Sequence, residues 1–269
     1  MTHTSPFTTR APRWAIALAA FLTFAVVDTI GLDPFRAVAG DWTGWSRIGA
    51  LAVVGYGLYL LAPMALAAAL FGPRRAPGAL GLDGRKTPAL LLALATTAIL
   101  PIGYALAGPL QPGPETPVEL MRSAVLPGIA EEVLYRALLF GFLFRFAGWG
   151  FLPAGLVGAL VFGAAHLYQG GDPVEALAIA GLTTAGGLWF SWLYAEWRFN
   201  LWVPIAFHIL MNGWWTLFDV ADDALGTGAS VGLRAAVIAL SVLVTVAVAR
   251  RRGGRIVKGR RWLFGGETP

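Results

Sequence analysis

Two adjacent glutamates and two histidines lie in apolar segments of this chain, where ionisable side chains are costly to keep. Glu131 and Glu132 share one such segment with Arg136. His166 and His208 lie in two later apolar segments. An ionisable group at membrane depth costs roughly 2.5–3.5 kcal/mol on insertion scales. Side chains kept at this cost are predicted to serve binding, proton transfer or catalysis.

Helix geometry separates the two glutamates. At about 100° per residue, Glu132 and Arg136 lie on one helical face, whereas Glu131 points away from Arg136. Glu132 and Arg136 are therefore predicted to form an ion pair inside the membrane, either as a structural polar cluster or as support for a site. Glu131 is left without a cationic partner, which suits a general base or a proton carrier.

The histidine segments each contain a second residue at helical spacing. His208 and Asn212 share a helical face, where their donors suit either an oxyanion or a hydrogen bond between helices. Phe162 and His166 share a face in the same way. The chain contains no cysteine and no His-Glu-x-x-His sequence, so thiol catalysis and a zinc protease of that type are excluded.

The composition indicates a membrane protein. The chain is 57% hydrophobic and 13% charged, whereas soluble domains carry about 25% charged residues. The net charge of +5 is compatible with nucleic-acid binding, but the basic residues cluster at the ends of apolar runs, as they do in membrane proteins. The lipid bilayer is therefore a predicted partner, and nucleic acid is not.

Eight apolar segments predict an all-α fold, a polytopic integral membrane helical bundle with about eight transmembrane helices. Most of these segments approach the roughly 20 residues that a helix needs to span a bilayer. Residues 1–269 are predicted to form a single integral membrane domain. The segments are 14–32, 48–71, 88–107, 118–147, 151–168, 174–195, 200–218 and 231–249.

The charged loops predict the orientation. Loops 108–119 and 169–175 contain acidic residues and no basic ones, so they should lie on the non-cytoplasmic side. Eight spans with both termini in the cytoplasm satisfy all of these loops. Two clusters of basic residues should be cytoplasmic, and they consist of Arg74, Arg75, Arg85 and Lys86 in the first and Arg250, Arg251, Arg252, Arg255, Lys258, Arg260 and Arg261 in the second.

The ionisable residues together resemble the motifs of a known family, the CPBP intramembrane proteases. This family includes the type II CAAX prenyl endopeptidases and bacterial proteins linked to bacteriocin processing and self-immunity. The resemblance covers residues 118–216, which are the predicted catalytic core. Three motifs on separate helices carry it, in the order Glu131-Glu132-x-x-x-Arg136, Phe162-x-x-x-His166 and His208-x-x-x-Asn212.

The resemblance implies a role for each motif residue. Glu131 would activate the attacking water, and His166 would help to hold that water. His208 and Asn212 would stabilise the tetrahedral oxyanion. The remaining motif residues would support the site, and these are Glu132, Arg136 and Phe162. The implied protein is an endopeptidase of a bacterial plasma membrane that cleaves a membrane-associated, prenylated or bacteriocin-like peptide or a membrane protein.

Several alternatives remain open from the sequence. A metal-free glutamate mechanism without a cofactor is favoured, but Glu131, His166 and His208 also form an acceptable ligand set for catalytic zinc. A second hypothesis is a non-catalytic membrane protein that binds a peptide, confers immunity or scaffolds a partner. A third is a proton-coupled carrier that uses Glu131.

Overall fold

The computed structural model describes residues 7–218, 220–221 and 224–265. The regular structure of these residues is helical throughout, apart from an isolated β-bridge between Leu110 and Phe218. The predicted all-α fold is therefore confirmed. A buried apolar cluster extends along nearly the whole described chain, from Ile16 to Val257.

The first seven α-helices of the described residues lie before residue 108. In chain order they are α1 (Arg13–Ile30), α2 (Asp33–Ala39), α3 (Gly44–Ala50), α4 (Gly57–Phe71), α5 (Ala76–Ala79), α6 (Lys86–Thr97) and α7 (Ile99–Ala107). A π-helical turn, Leu51–Gly55, connects α3 with α4.

The motif residues lie on, or in the segments directly after, three of the six described α-helices that follow. The six helices are α8 (Thr116–Leu120), α9 (Leu126–Glu131), α10 (Phe151–Ala164), α11 (Pro173–Glu196), α12 (Trp202–Leu217) and α13 (Gly228–Arg251). Short 3₁₀ turns follow α10 and α13 at Leu167–Gln169 and Gly259–Trp262.

Six helical stretches of the described residues are long and apolar enough to cross a membrane, which agrees with a polytopic bundle. The predicted segments 118–147 and 200–218 are not among the six, so the number of eight stays a prediction. Segment 118–147 is helical but contains too many ionisable residues, and α12 in segment 200–218 has only 16 residues. The six stretches are Arg13–Ala39, Gly44–Phe71, Lys86–Ala107, Phe151–Gln169, Pro173–Glu196 and Gly228–Arg251.

The first motif lies where the helix changes its form. A π-helical turn, Met121–Val125, leads into α9, and a longer π-helical stretch, Glu132–Phe146, follows it. Pro127 in α9 has no backbone N–H to donate to the preceding turn. Single π-helical turns within α-helices often occur at functional sites. The stretch from Glu132 is packed against α1, α4 and α10. The two glutamates therefore lie at a junction in the centre of the bundle.

Three basic regions of the chain meet at one end of the bundle. The Asn200 side chain donates to the Arg85 carbonyl (2.9 Å), and the Arg198 guanidinium donates to the Arg252 carbonyl (3.0 Å). These bonds join the residues before α6, between α11 and α12, and after α13. We call this the basic end, and its basic residues include Arg74, Arg75, Arg85, Lys86, Arg198, Arg250, Arg251, Arg252, Arg255, Lys258, Arg260 and Arg261.

Reporter fusions are expected to place the basic end in the cytoplasm. A reporter fused after Arg75 and one fused after Arg252 should both give a cytoplasmic signal, because clustered arginines and lysines stay on that side of a membrane. A fusion after Gly113, in a loop without basic residues, is the control and should give an export signal. An export signal after Arg75 or Arg252 would contradict the predicted orientation.

Candidate active site

A cavity of about 370 Å³ brings the three motifs together. It is also lined by residues that the sequence did not single out, among them Tyr56, Arg122 and Ser123. No common spacing links these three residues to the motifs, so no pattern in the sequence indicated them. All four side chains predicted to be catalytic line the cavity, and they are Glu131, His166, His208 and Asn212.

The two adjacent glutamates differ in their access to the cavity. The side chain of Glu131 is 18% exposed, whereas that of Glu132 is 0% exposed. Glu131 ends α9 and lines the cavity, and Glu132 begins the buried π-helical stretch. Only the Glu131 carboxylate can therefore meet a molecule in the cavity.

Glu132 lies between a cation and an imidazole. Its Oε1 atom is 3.2 Å from Nη1 of Arg136 and 2.7 Å from Nδ1 of His208. The ion pair expected from the i,i+4 spacing is therefore present, and both partners are buried. The contact with His208 was not predicted, because the two residues are 76 positions apart in the chain.

The guanidinium of Arg136 lies between two aromatic rings. Its Cζ atom is 4.2 Å from the ring centroid of Phe162 and 5.3 Å from that of Phe190. A cation over an aromatic face gains about 2 kcal/mol or more when it is desolvated. Phe162 thus contacts the cation that pairs with Glu132. Phe190 makes the same kind of contact, although the sequence did not single it out.

The environment of His208 orients its ring. The carboxylate of Glu132 accepts a hydrogen bond from Nδ1–H when the ring is protonated there, and Nε2 then points to the other glutamate. The Nε2 atom is 3.9 Å from Oε2 of Glu131, which is too long for a direct hydrogen bond. The ring thus presents Nε2 beside the Glu131 carboxylate.

A backbone carbonyl orients His166. Its Nδ1 atom is 2.7 Å from the carbonyl oxygen of Phe162, which lies one helical turn earlier. A carbonyl oxygen can only accept, so Nδ1 carries the proton and donates. In the neutral ring Nε2 is then left as an acceptor. Phe162 therefore contacts Arg136 with its ring and His166 with its backbone.

Asn212 connects α12 to the turn before the first motif. Its Nδ2 atom donates to the Ser123 carbonyl (3.0 Å), and the Ser123 hydroxyl is 2.9 Å from that of Thr216. The Thr216 hydroxyl donates in turn to the main-chain carbonyl of Asn212 (2.9 Å). The bond to the Ser123 carbonyl uses one of the two side-chain amide hydrogens of Asn212, and the other remains for a ligand in the cavity.

The described residues contain no group of three His, Asp or Glu side chains that is arranged to hold a metal ion. The alternative zinc ligand set named above, Glu131, His166 and His208, is not arranged as such a group among the described residues. A mechanism without a cofactor stays a prediction.

The segment that contains the site matches a family model described as type II CAAX prenyl endopeptidase Rce1-like. The match covers residues 113–214 and includes all three motifs. The match covers less than half of the chain and shows that this segment is similar to that family. The resemblance predicted from the motifs is therefore confirmed.

A curated bacterial relative is similar over part of the chain. The protein named "Putative membrane peptidase YdiL" from Bacillus subtilis (strain 168) is 34% identical over 96 residues. These residues are 36% of this chain and 35% of that protein, so the match spans about a third of the relative's length. No solved structure matches the chain. The family description names an endopeptidase, and the relative is named as a membrane peptidase.

Removing one partner of the buried ion pair is expected to destabilise the protein strongly. Glu132→Gln or Arg136→Gln should each cost about 3–5 kcal/mol, because the charge left behind is buried and unpaired. The double change should cost less than the sum of the two. Melting temperatures in detergent measure this. Glu119→Gln, which breaks the exposed pair with Arg122, is the control and should change little. Strictly additive losses would show that Glu132 and Arg136 do not interact.

Proposed function

We propose that this protein is an intramembrane endopeptidase in which Glu131 activates the water that attacks a peptide bond. One observation carries the proposal: the cavity reaches Glu131 but not its neighbour Glu132, and it presents two imidazoles beside the reachable carboxylate. The family of the segment supports the reaction type. The substrate we propose is a membrane-associated peptide or a membrane protein, for which prenylated and bacteriocin-like peptides are candidates.

In the proposed attack step, Glu131 and His166 act on the same water molecule. The Glu131 carboxylate takes a proton from water while the water oxygen bonds to the scissile carbonyl carbon. His166, with Nδ1–H fixed on the Phe162 carbonyl, accepts a hydrogen bond from the same water at Nε2. The protonated Glu131 then gives its proton to the leaving amine nitrogen as the carbon–nitrogen bond breaks.

In the proposed mechanism, His208 and Asn212 stabilise the oxyanion. The second amide hydrogen of Asn212 would donate to the tetrahedral oxygen. Nε2 of His208 donates to that oxygen only when the ring carries a proton on both nitrogens. The buried Glu132 carboxylate at Nδ1 compensates the charge of such a ring. Glu132 is therefore a positioning residue for the oxyanion site as well as the partner of Arg136.

The direct test is cleavage of a peptide library by the purified protein in detergent, with the products identified by mass spectrometry. We expect the wild-type protein to release new peptide termini. A protein that binds peptides but cleaves none would instead support the non-catalytic, peptide-binding hypothesis.

Chelators are expected to leave peptide cleavage unchanged. A glutamate that activates water directly needs no metal, so activity after incubation with a chelator should equal that of the untreated protein. The measurement is the cleavage rate before and after chelation, with a known zinc protease treated in parallel as the control. Loss of cleavage that added zinc restores would contradict the proposed mechanism and would make Glu131, His166 and His208 metal ligands.

A further inference from the structure

The cavity opens at the end of the bundle opposite to the basic end. Helix α1 starts at the basic end, because Arg13 packs against Gly148 and the Phe7 ring lies 5.6 Å from that of Phe146. This segment lies at the basic end, since the Arg145 guanidinium is 4.7 Å from the ring of Phe199 in the connection between α11 and α12. The 18 residues of α1 extend about 27 Å, and Leu32, just beyond its last turn, lines the cavity.

Helix α10 runs in the same direction. Its first residue, Phe151, has its ring 5.2 Å from that of Trp262 at the basic end. The residues after its last turn, including Tyr168 and Gln169, line the cavity. Two independent helices thus place the opening at the same end, which we call the cavity end.

The basic end is closed by packed side chains. The rings of Phe140 and Phe144 stack at 5.2 Å, and the Phe140 ring lies 6.3 Å from that of Tyr194. The Tyr194 hydroxyl donates to the Leu80 carbonyl in the loop before α6. All four residues are buried. A substrate at the basic end would therefore have to disrupt the core to reach Glu131.

Three arginines at the cavity end bind neighbouring carboxylates or main-chain carbonyls. Arg36 pairs with Asp33 at 2.7 Å, and Arg122 pairs with Glu119 at 2.6 Å. The Arg47 guanidinium donates to carbonyls at the end of α2, the shortest bond being 2.7 Å to Gly40. At the basic end, in contrast, arginines and lysines are clustered in the loops that connect the membrane-spanning helices. The distribution of basic residues therefore assigns the cytoplasm to the basic end.

We infer that the active site takes its substrate from the non-cytoplasmic side of the membrane. The inference rests on the proposed endopeptidase function and names the class of its substrate. A volume of about 370 Å³ lies at the small end of ligand pockets, which hold about 300–1,000 Å³. The site thus admits a short unfolded segment and not a folded domain. The substrate is an exported peptide or the non-cytoplasmic end of a membrane protein.

Single-cysteine labelling tests the direction of the cavity, because the chain has no cysteine of its own. Tyr168→Cys reports the cavity mouth, Glu115→Cys the exposed loop at the same end, and Arg74→Cys the basic end. A membrane-impermeant maleimide on intact cells should label the first two variants and should label Arg74→Cys only after permeabilisation. Labelling of Arg74→Cys alone, or of no variant before permeabilisation, would overturn the inference.

Sealed vesicles of known orientation test the route of the substrate. An impermeant peptide that the detergent-solubilised protein cleaves is added outside the vesicles. We expect cleavage when the cavity end faces the peptide and a loss of at least 10-fold when the basic end faces it. Equal cleavage from the basic end would overturn the inference. If no preparation cleaves any peptide, detergent included, the proposed function fails, whereas the labelling pattern still decides which side the cavity faces.

Discussion

Glu131→Gln is expected to lower the rate of peptide cleavage by about 10²–10⁴-fold, which is the usual contribution of a general base. The amide keeps the shape of the side chain but cannot take a proton from water. The fold should tolerate the change, because Glu131 is not the carboxylate that pairs with Arg136. The measurement is kcat with the peptide found in the library experiment, together with the melting temperature of each protein.

The matched control for this change is Glu115→Gln, a glutamate of an exposed loop near the cavity end. It removes the same charge and should leave both cleavage and melting temperature unchanged. Wild-type activity in Glu131→Gln would disprove the role of Glu131 outright. Loss of activity together with a large drop in melting temperature would show that Glu131 holds the fold together, which the partial exposure of its carboxylate to the cavity argues against.

Local spacing was sufficient to predict the contacts that form within one helix. The Glu132–Arg136 pair and the approach of His166 to Phe162 both follow from residues four apart. Such pairs depend only on helical geometry, which the sequence determines locally. The bond between Glu132 and His208 depends instead on how α12 packs against the first motif. Residues 76 positions apart carry no periodic signal of that packing.

The number of membrane spans shows a second limit of the sequence. The length and hydropathy of the apolar segments were sufficient to identify the six stretches, because a helix that spans a bilayer needs about 20 mostly apolar residues. The helix of the first motif falls outside this rule because it contains the ionisable residues of the site, whereas α12, which carries the third motif, has only 16 residues. The direction of the cavity was also beyond the sequence. It depends on which ends of α1 and α10 meet around Glu131.

Asn212→Ala is expected to lower kcat by about 10²–10³-fold with little change in KM, as the loss of an oxyanion donor does. The amide would bind the tetrahedral oxygen, which exists only near the transition state, so substrate binding should not depend on it. His208→Ala should act in the same direction. Its effect on kcat is harder to interpret, because this change also removes the hydrogen bond to the buried Glu132 carboxylate.

A variant of the neighbouring hydroxyl separates this catalytic role from a structural one. Asn212 also ties α12 to the Ser123 carbonyl, and the Thr216 hydroxyl belongs to the same set of hydrogen bonds. Thr216→Val weakens that connection without removing the amide that faces the cavity, so it should lower the melting temperature slightly and leave kcat near that of the wild type. If Thr216→Val reduced kcat as much as Asn212→Ala does, Asn212 would act through the placement of α12. A large effect of Asn212→Ala alone, confined to kcat, would assign its amide to the oxyanion.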